Sequence, residues 1–137
     1  SLFSSISLAG LHLLLAEDNE LNSEIATALL EEQGASITAV ENGRLALEAI
    51  QNAAPRTYDA ILMDVMMPEM NGLEATRCIR AYEGKGPGEG TPIIAMTANV
   101  FADDVKACLD AGMNSHVGKP LDMKVLIGEI LKYTDAR

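Results

Sequence analysis

Apolar residues fall along this chain in two alternating textures. Short, largely apolar runs recur at Leu11–Ala16, Ala35–Val40, Ala60–Met63, Pro92–Met96 and Met113–Val117. Runs of that length with little polar alternation predict strands covered on both faces, as in a parallel sheet. Between them the spacing turns helical. Leu21, Ile25 and Leu29 recur every four residues and stop at Gly34, a suitable helix end. Leu45, Ala49 and Ile50 mark a second helix, and Thr76, Ile79 and Arg80 a third. Val105, Cys108 and Leu109 give a fourth, ending near Gly112. Met123, Leu126, Ile127, Ile130 and Leu131 form the clearest stripe, on the last helix.

The order is a strand and a helix repeated five times. That alternation predicts an α/β domain: one parallel sheet, helices on both faces, right-handed crossovers. The segment 84–90 carries four Gly and one Pro and reads as a loop before the fourth strand. No Lys-Ser/Thr pair follows it and no helix begins there, so it is not a phosphate cradle.

Composition fits this picture and narrows the function. At 137 residues and 14.6 kDa the chain is one domain. It carries 20 acidic against 10 basic residues, a formal net charge of -10. Direct binding to nucleic acid is excluded, since that needs a basic face. An anionic membrane surface would repel the chain too, and no apolar run approaches the length of a span. Cys78 and Cys108 have no metal-ligand spacing and read as small packed groups. The Ser-rich stretch 1–10 lacks a basic n-region and reads as a linker from a longer protein. The domain is placed at 11–134, with a short tail at 135–137.

In open parallel sheets, ligands sit at the carboxyl ends of the strands. Glu17 and Asp18 follow the first predicted strand, Asp64 the third, Thr97 the fourth and Lys119 the fifth. Four strands thus deliver three acids, a hydroxyl and an amine to one rim. Any one alone is a bland cap or turn residue; the set is not. Two carboxylates 4 Å apart repel by about 1 kcal/mol in water and about 4 kcal/mol at an effective dielectric of 20. A divalent cation removes that conflict, and hard oxygen ligands suit Mg²⁺. Such an ion also neutralises a transferring phosphoryl group, with Lys119 and Thr97 available to its oxygens. Asp64, after the middle strand, is the best placed nucleophile for an acyl phosphate.

The motifs Ala16-Glu17-Asp18-Asn19, Met63-Asp64-Val65-Met66-Met67-Pro68-Glu69-Met70-Asn71-Gly72, Ala95-Met96-Thr97-Ala98 and Gly118-Lys119-Pro120 resemble a response-regulator receiver domain of two-component signalling. Their order is right and the likeness runs from Leu11 to Tyr133. The resemblance implies a flavodoxin-like fold with strand order 2-1-3-4-5 and a cis bond at Lys119-Pro120. It implies Asp64 as phosphoacceptor, with Glu17, Asp18, Asp64 and the Met66 backbone carbonyl holding Mg²⁺. Thr97 becomes the switch hydroxyl and Lys119 the phosphate-pairing lysine. The implied partner is a histidine kinase or histidine phosphotransfer domain, and a homodimer is compatible with the family. The domain would take part in phosphotransfer and self-dephosphorylation without being a kinase. The wording is closest to receivers of hybrid sensor histidine kinases, which makes the domain cytoplasmic whether or not its parent is membrane-anchored.

One position departs from the familiar pattern. Three residues before the lysine, where the family often has Tyr or Phe, stands His116. A lone His beside an apolar strand is ordinarily a packed or partly exposed side chain; here it is read as a switch residue whose size lets it swing inward when Thr97 moves. Met63, Met66, Met67 and Met70 read as core and loop packing, Asn19 as a helix cap, Arg77 and Arg80 as solvated. Two alternatives stand beside this reading, a stand-alone response regulator and a receiver-shaped interaction module that turns over no phosphate; a haloacid-dehalogenase-type phosphatase is disfavoured, because Met66 stands where its second acid is needed and the chain is too short for a cap domain.

Overall fold

The computed structural model describes residues 7–99 and 101–134. Strands β1 (His12–Ala16), β2 (Ser36–Val40), β3 (Ala60–Asp64), β4 (Ile93–Thr97) and β5 (Ser115–Gly118) alternate with helices α1 (Glu20–Glu32), α2 (Gly43–Gln51), α3 (Gly72–Glu83), α4 (Ala102–Ala111) and α5 (Met123–Thr134). The strands lie in the order β2-β1-β3-β4-β5, and every neighbouring pair is parallel. This is the expected flavodoxin-like topology, and Lys119-Pro120 is cis.

The pleat sorts side chains to two faces. Leu13 and Leu15 pack with Ala26 and Leu30 of α1 and with Leu126 and Ile130 of α5. Leu14 and Ala16 turn the other way, onto Ala46 of α2, Ala75 and Ile79 of α3 and Cys108 of α4. Strands β3 and β4 are buried at every residue, which is why they read as unbroken apolar runs. No helix among the described residues is long and apolar enough to cross a membrane.

The register aligns the strand ends. Ala16 pairs with Met63, Asp64 with Met96 and Thr97 with Gly118. Glu17, Asp64, Thr97 and Lys119 therefore leave the sheet at one edge.

The predicted first and fourth helices are present, the packing now sets which of their faces point inward, and some other expectations need correction. The Leu21, Ile25 and Leu29 row is the outer face of α1, with exposures of 64%, 50% and 38%. The buried row is Ala26 and Leu30, one position on. A spacing of four defines a face without saying which way it points. Arg80 is not solvated; it is buried at the carboxyl end of α3. Met66 is not packing but is exposed, whereas Met63 and Met67 are buried as read. In α4, Cys108 is buried while Leu109 is exposed. Strand β5 starts two residues later than read, because Met113 and Asn114 form the turn into it. Residues 1–6 of the expected linker and the tail 135–137 lie outside the described residues. Leu8 is fully buried, and its N–H donates to the Gln33 carbonyl at 2.8 Å, so packing begins before Leu11.

Candidate functional site

Local rules build the rim where the four strand ends meet. Asn19 caps α1, its side chain accepting from the Asn22 N–H at 2.9 Å, so the chain turns sharply after Glu17 and Asp18. Asn71 caps α3 through a capping box with Glu74. That helix starts directly beneath the phosphoacceptor candidate. A Cβ on Gly72 would lie 2.3 Å from the Asp64 carbonyl oxygen, so only glycine fits there. The loop between is pinned by Gly72 N–H to Val65 O at 2.9 Å and Gly43 N–H to Met70 O at 2.9 Å.

Glu17, Asp18 and Asp64 each bring a carboxylate oxygen within 4.8 Å of the others. Glu17 and Asp64 are buried and Asp18 is exposed. Lys119 Nζ donates to Glu17 Oε2 and to Asp64 Oδ2, both at 3.0 Å. The Met66 N–H donates to Asp64 Oδ1 at 3.3 Å, which fixes both oxygens of that side chain. Asn22 Nδ2 donates to Glu17 Oε1 at 3.3 Å. Asn22 escaped the sequence reading; its only signal is that it lies one turn into the helix that follows the acids.

One lysine does not balance three carboxylates. Burial pushes the Asp64 carboxyl up to about 6, the bond and charge of Glu17 push the same way, and Lys119 opposes them. Burial also acts to raise Glu17, but its bonds to Asp64, Lys119 and Asn22 and the charge of Lys119 outweigh this and hold it below the ordinary value. Burial works against the Lys119 ammonium, yet Asp64 and Glu17 more than compensate and hold its pKa up. Two buried acids thus share the attraction of one cation, and Asp64 is the one left short. A hard divalent cation fits this donor set: all-oxygen ligands, excess negative charge and an open side at Asp18.

Thr97 is buried at the end of β4. Its hydroxyl donates to the Asn99 carbonyl at 2.9 Å and accepts the Asn99 N–H at 3.0 Å, so it is engaged in its own turn. The Lys119 N–H donates to the Thr97 carbonyl at 2.8 Å, coupling the two strand ends. His116 is half-buried on β5 opposite Ala95, and its side chain makes no hydrogen bond among the described residues.

Residues 13–131 match the family model of the response regulator receiver domain. The chain belongs to this family. Within it, the domain is most like the receivers of hybrid sensor histidine kinases. The sensor protein GacS of Pseudomonas syringae pv. syringae is 39% identical over 121 residues, covering 88% of this chain and 13% of that protein. The chain thus spans a small part of the curated relatives it matches. The receiver domain of sensor histidine kinase PA1611 from Pseudomonas aeruginosa PAO1 superposes with a TM-score of 0.80 at 38% identity, covering 93% of this chain and 99% of that one. That structure holds a magnesium ion coordinated in its active-site cleft. The receiver domain of the response regulator Ssk1, solved in complex with the histidine phosphotransfer protein Ypd1 of Saccharomyces cerevisiae, gives a TM-score of 0.82 at 25% identity, covering 91% of this chain and 89% of that one.

Proposed function

We propose that this receiver accepts a phosphoryl group on Asp64 from a phosphohistidine, in the presence of Mg²⁺, as a module of a larger sensor kinase. The observation that carries the reading is the meeting of Glu17, Asp18 and Asp64 around Lys119. In the step, an Asp64 carboxylate oxygen attacks phosphorus, the N–P bond breaks as the O–P bond forms, and the imidazole leaves with the N–P electron pair.

Bound Mg²⁺ would be held by Glu17, Asp18, Asp64 and the Met66 carbonyl, and supplies charge neutralisation for the carboxylates and the incoming phosphoryl oxygens. The remaining work falls to the chain itself. Lys119 stands ready to leave Glu17 for a phosphoryl oxygen. The Met66 N–H orients the attacking carboxylate. Thr97 exchanges its bond with Asn99 for one to the phosphoryl group, and His116 follows into the space released. Phosphorylation then changes the surface around β4 and β5.

The donor has a place to dock. Leu21, Ile25 and Leu29 are exposed on α1, and a cavity of about 500 Å³ runs from Ile25 and Leu29 past Leu121 to Glu17 and Lys119. An apolar helix face on a histidine phosphotransfer partner would fit there with its histidine over Asp64. Acetyl phosphate with Mg²⁺ tests the chemistry: peptide mapping should find one phosphoryl group on the segment containing Asp64, and chelation of the metal should prevent it. Phosphoryl on another residue would overturn the assignment.

A further inference from the structure

Each buried acid of the site is reached by the shared Lys119 and by one neutral donor. Lys119 Nζ lies 3.0 Å from both Glu17 Oε2 and Asp64 Oδ2. For Asp64 the neutral donor is a backbone group, the Met66 N–H, on Oδ1. For Glu17 it is a side chain, Asn22 Nδ2, on Oε1 at 3.3 Å. An ionised carboxylate only accepts, so the amide turns its nitrogen to Glu17.

The start of α1 makes this reach available. Asn22 is the third residue of the helix, and its N–H is bonded to Oδ1 of the N-cap Asn19 at 2.9 Å. At that position a Glu or Gln ordinarily turns back to the N–H of the cap and closes a capping box. Glu74 does so in α3, where it accepts the Asn71 N–H at 3.4 Å. Asn22 instead reaches past its cap, five positions back, to Glu17. A carboxylate in its place would add a further like charge beside Glu17 and Asp64, whereas the amide is neutral and donates.

Glu17 depends on such a donor more than Asp64 does. Its side chain has one more rotatable bond, so more freedom must be removed to aim it. It also stands to lose the lysine, once Lys119 turns to a phosphoryl oxygen. Asn22 is the donor that stays. We propose that Asn22 is a positioning residue of the Mg²⁺ site, holding Glu17 Oε1 so that Oε2 remains turned toward Asp64 when Lys119 leaves. This rests on the Mg²⁺ reading given above. Partners one bond behind a metal ligand set affinity, and losing one weakens binding by about ten- to a hundredfold. Asn22 is exposed and its bond is long, so the lower end of that range applies.

Mg²⁺ titrated into the whole domain and followed by amide chemical shifts tests this without any phosphodonor. The wild type should saturate, and folded Asn22→Ala should need about ten times more Mg²⁺ for half-saturation. Asn22→Leu fills the same space without a donor and should be weakened equally. Wild-type affinity in either folded variant overturns the role of the amide. Melts in chelator read stability separately. A residue that only stabilises α1 would lower the melting temperature in its variants and leave half-saturation unmoved, which also overturns the proposal. A wild type that binds no Mg²⁺ overturns the metal reading itself.

Discussion

Lys119 and Asp64 are 55 positions apart in sequence, yet the Lys119 ammonium lies 3.0 Å from Asp64 Oδ2. The same nitrogen is 3.0 Å from Glu17 Oε2, so one cation serves two buried acids. Removing it should leave those acids facing each other without a countercharge, held only by the neutral donors Asn22 and the Met66 N–H. Lys119→Ala is expected to cost about 2 kcal/mol in the metal-free protein, less than for a fully buried pair because the lysine is partly exposed. Thermal melts in chelator and in Mg²⁺ check this: the metal should recover much of the loss. Equal losses in both conditions would show that the lysine's contribution is not electrostatic.

Asp64 gives the metal-free domain a pH dependence with a definite sign. Its folded pKa, about 6, lies above the ordinary 3.8. The folded state therefore binds the proton more tightly than the unfolded chain. The resulting stability is fully present below about pH 4 and is lost as pH rises through about 6, an effect of order 2 kcal/mol. Glu17 is shifted the opposite way, so it favours folding above its ordinary pKa and loses that contribution as pH falls. Urea melts between pH 4 and 7 should show falling stability in chelator. With Mg²⁺ the decline should flatten, because the ion stabilises the carboxylate.

The outer face of α1 separates docking from chemistry. Leu21→Ser is expected to change stability by no more than about 0.5 kcal/mol, as an exposed substitution away from the core. Labelling by acetyl phosphate should be unaffected. Phosphotransfer from a phosphorylated histidine phosphotransfer partner should fall about tenfold, the effect of one lost interface anchor. A drop in acetyl phosphate labelling of the same size would place Leu21 in the chemistry instead.

Arg80 is a stability prediction of a different scale. Arg80→Met leaves Glu83 without its buried cation and takes the Arg80 donor from the Thr91 and Gly112 carbonyls and from Asn114 Oδ1. A loss of about 3 kcal/mol is expected in denaturant melts. Arg77→Met, an exposed substitution on the same helix, should stay within about 0.5 kcal/mol.

The site was legible before the fold was known because chemistry is sparse along the chain. Asp64, Thr97 and Lys119 each terminate an apolar run, and a parallel sheet brings run ends together. Strands β3 and β4 were legible for the same reason, being apolar at every position before the closing Asp64 and Thr97. What stayed hidden depends on direction rather than type. Leu21, Ile25 and Leu29 announce a helix correctly, but Ala26 and Leu30 occupy an equally good row, and only the packed sheet chooses between them. Arg80 was hidden more deeply. A charged residue on a helix is ordinarily solvated, and its acceptors at Thr91, Gly112 and Asn114 are 11 to 34 residues away. Asn22 was missed for a milder version of that reason: a common polar residue in a first turn gives no sign of reaching back to Glu17.

The central claim is that Asp64 carries the phosphoryl group. Intact mass spectrometry of wild type and Asp64→Asn after acetyl phosphate and Mg²⁺ tests it most directly, with circular dichroism confirming that both are folded. One added phosphoryl group on the wild type and none on Asp64→Asn is the expected result. Undiminished labelling of folded Asp64→Asn would contradict it.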